Sequence, residues 1–108
     1  MEINQLTEIV IGKAFVVSNT LGVGYLEKVY ENALAFELRD AGLRVEQQKS
    51  IPVVYRGVIV GDYIADILVD DQLILEIKAT KTIDLPHEAQ LLNYLKTTGI
   101  HTGLILNF

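Results

Sequence analysis

Apolar residues recur at helical spacing in the first forty residues of the chain. The spacing predicts one helix over Ile3–Asn19, ended by the glycines of Leu21–Gly24, and a second over Tyr25–Asp40, stopped by Gly42. The apolar stripes of these helices consist of Ile3, Leu6, Val10, Ala14 and Val17 in the first, and Leu26, Val29, Tyr30, Ala33, Leu34 and Leu38 in the second. More apolar residues lie outside the first stripe, which predicts that much of that helix is buried: Ile9, Ile11, Phe15 and Val16.

The middle of the chain alternates between apolar, β-branched runs and short polar breaks. The segment Arg44–Asp62 predicts a hairpin in which Arg56 and Gly57 form a two-residue turn. Pro52 cannot donate a hydrogen bond to a sheet, so its strand is either an edge strand or begins after the proline. The runs are almost continuously apolar, which is typical of a sheet covered on both faces.

A second hairpin is predicted over Tyr63–Lys78, and its register decides which charged side chains meet. A two-residue loop would place Asp66 opposite Leu75 and turn it away from Glu76. A three-residue loop, Asp70–Gln72, places Asp66 directly across from Glu76. Because aspartate tolerates the left-handed conformation that such loops need, we predict the three-residue loop.

The C-terminal third predicts a helix followed by a strand. Pro86 fits a first helical turn, Asp84 or a neighbour could cap it, the helix covers His87–Thr98, and Gly99 stops it. Thr102–Phe108 is a final apolar strand, which a right-handed crossover would place parallel to the strand before the helix. The fold class is therefore α/β: a mixed four-stranded sheet flanked by helices, in the order α-α-β-β-β-α-β.

Composition narrows the class of protein. A chain of 108 residues predicts one domain over residues 1–108, and the absence of cysteine excludes disulfides and thiolate metal sites. No apolar run is long enough to cross a bilayer and the first residues lack a signal peptide's basic start, so we expect a cytoplasmic protein without membrane contact. The net charge of −5 is a poor match to binding through non-specific attraction to phosphates.

Charged residues interrupt the apolar strands, where burial is unfavourable unless they are paired or bind a metal. Asp66 and Glu76 could meet Glu27, which lies at the edge of the second helix's apolar face, if that helix packs across the sheet. Oxygen ligands of this kind suit Mg²⁺ or Mn²⁺. Lys78 shares a strand face with Glu76 and would lie beside the metal. For Glu27, as for Glu37 in the same apolar arc, the alternative is a side chain bent outward to solvent or paired with a base.

Two further residues complete this candidate site. Gln90 and Tyr94 are four apart on the last helix, so they share a face and could hydrogen-bond a water or a substrate. The alternative for the strand residues is a surface ion pair between Glu76 and Lys78, with Asp66 solvated. His87 is interpreted as a structural residue at the helix start.

The combination of motifs resembles the GxxExxY family of small proteins within the PD-(D/E)XK nuclease superfamily. The resemblance covers nearly the whole chain and rests on four motifs: Gly24-Tyr-Leu-Glu27-Lys-Val-Tyr30, Tyr63-x-Ala-Asp66, Glu76-x-Lys78 and His87-Glu-Ala-Gln90-Leu-Leu-Asn-Tyr94-Leu. One departure from the superfamily pattern is Ala65, which stands where a proline would precede Asp66. The resemblance implies a restriction-endonuclease-like core.

The resemblance also implies a role for each site residue. Asp66 and Glu76 would be metal ligands with the Ile77 carbonyl, Glu27 a ligand or the holder of a metal-bound water, and Lys78 the catalytic lysine. Gln90 and Tyr94 would support them.

These observations lead to two hypotheses of different classes. The first is a Mg²⁺- or Mn²⁺-dependent nuclease that hydrolyses phosphodiester bonds in DNA or RNA. The second is a catalytically silent binding or assembly module that keeps the nuclease fold, and the net acidity and small size favour it. In the first case a homodimer or a partner protein could supply the surface that grips nucleic acid.

Overall fold

A computed structural model describes residues 1–108 and contains the seven predicted elements in the predicted order. They are α1 Ile3–Leu21, α2 Glu27–Asp40, β1 Val45–Tyr55, β2 Val58–Val69, β3 Leu73–Lys78, α3 Leu85–Thr98 and β4 Thr102–Asn107. The α/β fold class is confirmed. None of the three helices combines the length and the apolar character that crossing a membrane requires.

The sheet has the strand order β1-β2-β3-β4. The first three strands are antiparallel and β4 runs parallel to β3, as the crossover rule predicts. Arg56 and Gly57 form the first hairpin turn with φ angles of 51° and 79°, and β1, which contains Pro52, is an edge strand. Asp70 and Asp71 have φ angles of 50° and 55° in the second loop.

Helices cover the two faces of the sheet unequally. Side chains of α1 and α2 form the larger core cluster with residues of β2 and β3 such as Ile67, Leu75 and Ile77. On the other face, Leu91 of α3 packs in a smaller cluster that contains Ile74. The neighbours Ile74 and Leu75 thus enter different clusters, because successive strand residues point to opposite faces.

The expectation of a sheet covered on both faces is wrong for its outer end. Val58, Ile59 and Val60, next to the first turn, are between 60% and 66% exposed. The physical reason is length: twelve residues of β2 extend about 40 Å, whereas fourteen residues of α3 span about 21 Å. The first hairpin therefore projects beyond the helices.

Burial of the two N-terminal helices also differs from the prediction. Phe15 is 64% exposed, and Ile11 and Val16 are exposed too, because α1 packs chiefly against α2 and its outer side has no neighbour. On α2 the buried face is rotated away from Leu26 and Val29, which are exposed. It consists of Tyr30, Glu31, Leu34, Ala35 and Leu38.

The caps of α3 agree with the prediction. Asp84 precedes the helix, and its Oδ1 accepts a hydrogen bond from the His87 backbone N–H at 3.4 Å. Gly99 ends the helix in the left-handed conformation, with φ at 74°. These ends fix which residues of α3 face the sheet, and hence the positions of Gln90 and Tyr94.

Gly103 of β4 lies directly beneath α3. A β-carbon there would lie 2.9 Å from Leu91 Cδ1 and 3.2 Å from Leu91 Cγ. We expect Gly103→Ala to lower the free energy of unfolding by about 1–3 kcal/mol through overpacking. Gly12→Ala is the control, because a β-carbon on this helical residue meets nothing within 4 Å and should stabilise by up to about 1 kcal/mol. Urea denaturation measures both, and a neutral Gly103→Ala would show that α3 moves freely.

Candidate active site

The candidate site begins where the pairing of β2 and β3 ends. The last pair is Ile67 with Leu75, and the same register places Asp66 across from Glu76. In place of a backbone carbonyl, Asp66 Oδ2 accepts the hydrogen bond from the Ile77 backbone N–H, at 2.8 Å. The three-residue loop is thus confirmed, and the two carboxylates occupy a fork between the strands.

Side chains of β2 change face at Asp66. Tyr63 and Ala65 belong to the cluster beneath α3, whereas Ile67 and Val69 belong to the cluster beneath α1 and α2. In a regular strand, residues two apart share a face, so the alternation is broken at Asp66. The irregularity lets a half-buried carboxylate sit between the two apolar clusters without entering either core.

Glu76 lies on the α3 side of the sheet and is held by a tyrosine. The Tyr63 hydroxyl donates a hydrogen bond to Glu76 Oε1. The Tyr63 ring stacks on the Tyr94 ring, with centroids 3.8 Å apart and planes 12° from parallel. Tyr94 of α3 thereby positions the donor that orients Glu76.

Burial changes the protonation of this pair. The pKa of Glu76 is raised to about 7, chiefly by burial and also by the neighbouring Asp66 carboxylate, while the Tyr63 hydrogen bond and the Lys78 charge oppose the rise. Burial, and next the bond to Glu76, raise the pKa of the Tyr63 phenol well above its ordinary value. Tyr63 is therefore a permanent donor, and Glu76 changes charge near neutral pH.

A cavity of about 220 Å³ brings four of the predicted site residues together. Glu76, Lys78, Gln90 and Tyr94 line it, and His87 contributes to its wall as well. Neither Glu76 nor Lys78 takes part in a salt bridge within 4 Å, so the alternative of a surface ion pair between them is not observed. Lys78 is left half-buried with its ammonium available to a bound molecule.

Glu27 is not part of the lining of this cavity. Its Oε2 accepts a hydrogen bond from the Ala79 backbone N–H at 3.3 Å, which fixes the start of α2 at the end of β3. No three aspartate, glutamate, histidine or cysteine side chains converge closely enough to hold a metal ion. Of the three carboxylates predicted to converge, Asp66 and Glu76 therefore meet, whereas Glu27 lies at the end of β3 beside Ala79.

Two functional candidates were not expected from the sequence. Glu31 of α2 is only 3% exposed, and Gln48 of β1 links it by hydrogen bonds to Asp66. A signal for Glu31 existed, because it lies at i, i+3, i+4 and i+7 spacing with Leu34, Ala35 and Leu38. Gln48 had none, since a glutamine in an edge strand is ordinarily solvated.

The donor set suits a divalent cation. Two carboxylates face each other at the fork with no salt-bridge partner, and their mutual repulsion contributes to the raised pKa of Glu76. A cation between them would relieve this repulsion. Each carboxylate oxygen has two lone pairs, so Asp66 can keep its bonds to Ile77 and Gln48 and still coordinate. Mg²⁺ and Mn²⁺ prefer such oxygen donors.

The raised pKa of Glu76 predicts a pH dependence of stability in the metal-free protein. The unfolded carboxyl titrates near 4.5 and the folded one near 7, so the folded state binds more protons and stability falls as the pH rises between these values. The full shift corresponds to about 3 kcal/mol, which solvent screening of this half-buried group reduces to about 2 kcal/mol. Denaturation in a chelator at about pH 5 and pH 8 should show this loss in the wild type and not in Glu76→Gln. If the wild type and Glu76→Gln lose the same free energy of unfolding between the two pH values, the titrating group is not Glu76.

Comparison with known proteins identifies the family. A family model described as the PD-(D/E)XK nuclease superfamily matches residues 4–108. Comparisons with curated proteins and with solved structures returned no match. The family model covers every strand and helix that carries the fork, the cavity and Lys78, apart from the first residue of α1. The chain therefore belongs to the PD-(D/E)XK nuclease superfamily.

Proposed function

We propose that the protein is a Mg²⁺- or Mn²⁺-dependent nuclease that hydrolyses phosphodiester bonds in DNA or RNA, and that it belongs to the GxxExxY family. The observation that carries the proposal is the fork, where the register of β2 and β3 places Asp66 across from Glu76 and the two carboxyl groups lie close enough to interact. Lys78, without a salt-bridge partner, lines the same cavity as Glu76. A pair of carboxylates beside an available ammonium is the arrangement that metal-assisted phosphodiester hydrolysis needs.

In this proposal Asp66, Glu76 and the Ile77 carbonyl hold the cation. The bound cation would polarise a phosphoryl oxygen and lower the pKa of a water molecule. Ile77 would contribute in two ways: its carbonyl would be a ligand, and its N–H donates the hydrogen bond that holds Asp66 Oδ2 in place. Tyr63 keeps Glu76 aimed into the fork and remains protonated while Glu76 ionises.

Lys78 acts on the reacting groups from the same cavity. Its ammonium would donate hydrogen bonds to the attacking water or to a phosphate oxygen, where it stabilises the developing negative charge. Gln90 and Tyr94 line the wall that α3 contributes and would hydrogen-bond the water or the substrate. Glu27, at the end of β3, would hold a water at the margin of the site.

The alternative is a catalytically silent module with the same fold, which binds a partner and cleaves nothing. Two observations favour it: the net charge of −5, and the convergence of only two carboxylates at the fork. In the nuclease proposal a second copy or a partner protein would supply further surface for gripping the nucleic acid. Cleavage is the property that separates the two.

A cleavage screen tests the proposal. Labelled single- and double-stranded DNA and RNA are incubated with the wild type in Mg²⁺, in Mn²⁺ and in a chelator, with Glu76→Gln as the matched control. The introduced amide keeps an oxygen that accepts the Tyr63 hydrogen bond, so the variant preserves the packing. Metal-dependent products from the wild type and not from the variant support a nuclease. A wild type that binds Mn²⁺ and cleaves none of the four substrates is the silent module.

A further inference from the structure

Gln48 has a backbone conformation that is unusual for its place in the fold. Its φ angle is 52°, in the left-handed region that side chains other than glycine rarely adopt. The other non-glycine residues with positive φ, Arg56, Asp70 and Asp71, all lie in hairpin loops. Gln48 lies inside β1, where the ladder pairs the residues on either side of it with β2 and leaves Gln48 itself unpaired. Strained residues of this kind cluster at functional sites.

The strained backbone turns two neighbouring side chains toward one carboxylate. Gln47 Nε2 lies 2.7 Å from Glu31 Oε2, and Gln48 Nε2 lies 2.8 Å from Glu31 Oε1. Consecutive residues of a regular strand point to opposite faces and could not both reach Glu31. The left-handed residue therefore serves to bring the Gln48 amide to the α2 side of the sheet.

The Gln48 amide connects this anchor to the candidate metal ligand. Its Nε2 also donates to Asp66 Oδ1, at 3.3 Å. Glu31 is a firm anchor because it is 3% exposed and is held by Lys28 Nζ at 2.9 Å as well as by Gln47. Both oxygens of Asp66 are thus tied, Oδ1 to Gln48 and Oδ2 to the Ile77 N–H.

We propose that Gln48 is a positioning residue that sets the orientation of the Asp66 carboxylate for cation binding. Two donors on different oxygens fix the plane of a carboxylate, so the remaining lone pairs point into the fork before a cation arrives. Residues that orient metal ligands in this way typically contribute about 10- to 100-fold to metal affinity. The inference rests on the proposed function, because it takes Asp66 to be a ligand.

The test uses Gln48→Gly, which removes the amide and relieves the backbone. Glycine adopts a positive φ without strain, and this gain offsets part of the cost of the hydrogen bond that the buried Glu31 loses, so the variant should still fold, with a stability similar to that of the control below. Gln47→Ala is the matched control, because Gln47 donates to the same Glu31 carboxylate and makes no bond to Asp66. Gln48→Asn is a second variant that also tolerates positive φ, and its amide is too short to span Glu31 and Asp66 together.

Calorimetric titration with Mn²⁺ alone, at a pH above 7 so that Glu76 is ionised, gives the affinity of each protein. We expect the dissociation constants of Gln48→Gly and Gln48→Asn to rise at least about 10-fold, and that of Gln47→Ala to change less than about 2-fold. Thermal unfolding without metal separates this loss from loss of fold.

Three results would overturn the inference. Wild-type affinity in Gln48→Gly, or in Gln48→Asn if the glycine variant does not fold, shows that Asp66 needs no orienting amide. An equal loss in Gln47→Ala assigns the effect to Glu31 and the packing of α2. If the wild type binds no Mn²⁺, the proposed function itself is wrong. If the wild type and the Gln48 variants bind Mn²⁺ equally well, only the role of Gln48 is wrong.

Discussion

Replacing Lys78 with methionine is expected to slow phosphodiester cleavage about 1,000-fold and to change Mn²⁺ affinity less than about 2-fold. Lys78 lines the cavity with Glu76 and has no salt-bridge partner, so its ammonium is free to bind the water or the phosphate. Methionine keeps a long unbranched side chain and removes the charge. Because the Lys78 charge lowers the pKa of Glu76, that pKa should be higher still in Lys78→Met, so the comparison belongs at a pH well above 7, where Glu76 is ionised in both proteins.

Lys81→Met is the control for this prediction. Lys81 follows β3 in the same connection to α3, is exposed and lies outside the cavity. Single-turnover cleavage and Mn²⁺ titration are measured on the wild type and both variants. Unchanged cleavage by Lys78→Met removes Lys78 from the mechanism. An equal loss in Lys81→Met would assign both lysines to binding the nucleic acid backbone.

Two substitutions at Asp66 should separate metal binding from folding. Asp66→Asn keeps an oxygen that accepts the Ile77 N–H and loses the charge, so we expect a folded protein whose Mn²⁺ affinity falls at least about 100-fold. Asp66→Ala also leaves the buried Ile77 N–H without its partner, which lowers the free energy of unfolding by about 1–3 kcal/mol. The carboxylate therefore has a structural role in addition to the proposed ligand role.

Thermal unfolding with and without Mn²⁺ measures both effects. At a concentration about 100 times the wild-type dissociation constant, Mn²⁺ should stabilise the wild type by about 2.7 kcal/mol and each variant by no more than about 0.4 kcal/mol. Without metal, Asp66→Asn, which keeps the Ile77 bond and loses the one from Gln48, should be more stable than Asp66→Ala, which loses both. Equal stabilisation of Asp66→Asn by Mn²⁺ would exclude Asp66 as a ligand.

Local rules predicted much of the fold because they act on few residues at a time. The turns Arg56-Gly57 and Asp70–Gln72 set the registers of the two hairpins, and Gly57, Asp70 and Asp71 supply the positive φ angles that glycine and aspartate tolerate. Asp84 and Gly99 set the ends of α3. Since hairpin register alone decides what faces Glu76, the pairing with Asp66 was predictable.

Features that depend on packing between distant elements were not predictable. The exposure of Val58–Val60 depends on how far the helices extend along the sheet, which no local pattern records. The buried charge of Glu31 is satisfied by glutamines of β1 that lie sixteen and seventeen residues away. The change of face at Asp66 lies level with the left-handed Gln48 on the neighbouring strand, where both residues are missing from the pairing. A glutamine carries no sequence signal for that conformation.

In the proposed function, the fork between β2 and β3 binds a divalent cation through Asp66 and Glu76. Calorimetric titration with Mn²⁺, wild type beside Asp66→Asn at a pH above 7, tests it most directly because it requires no knowledge of the substrate. We expect one saturable binding event in the wild type and its loss in the variant. Binding of equal strength in both proteins, or none in the wild type at millimolar Mn²⁺, would contradict it.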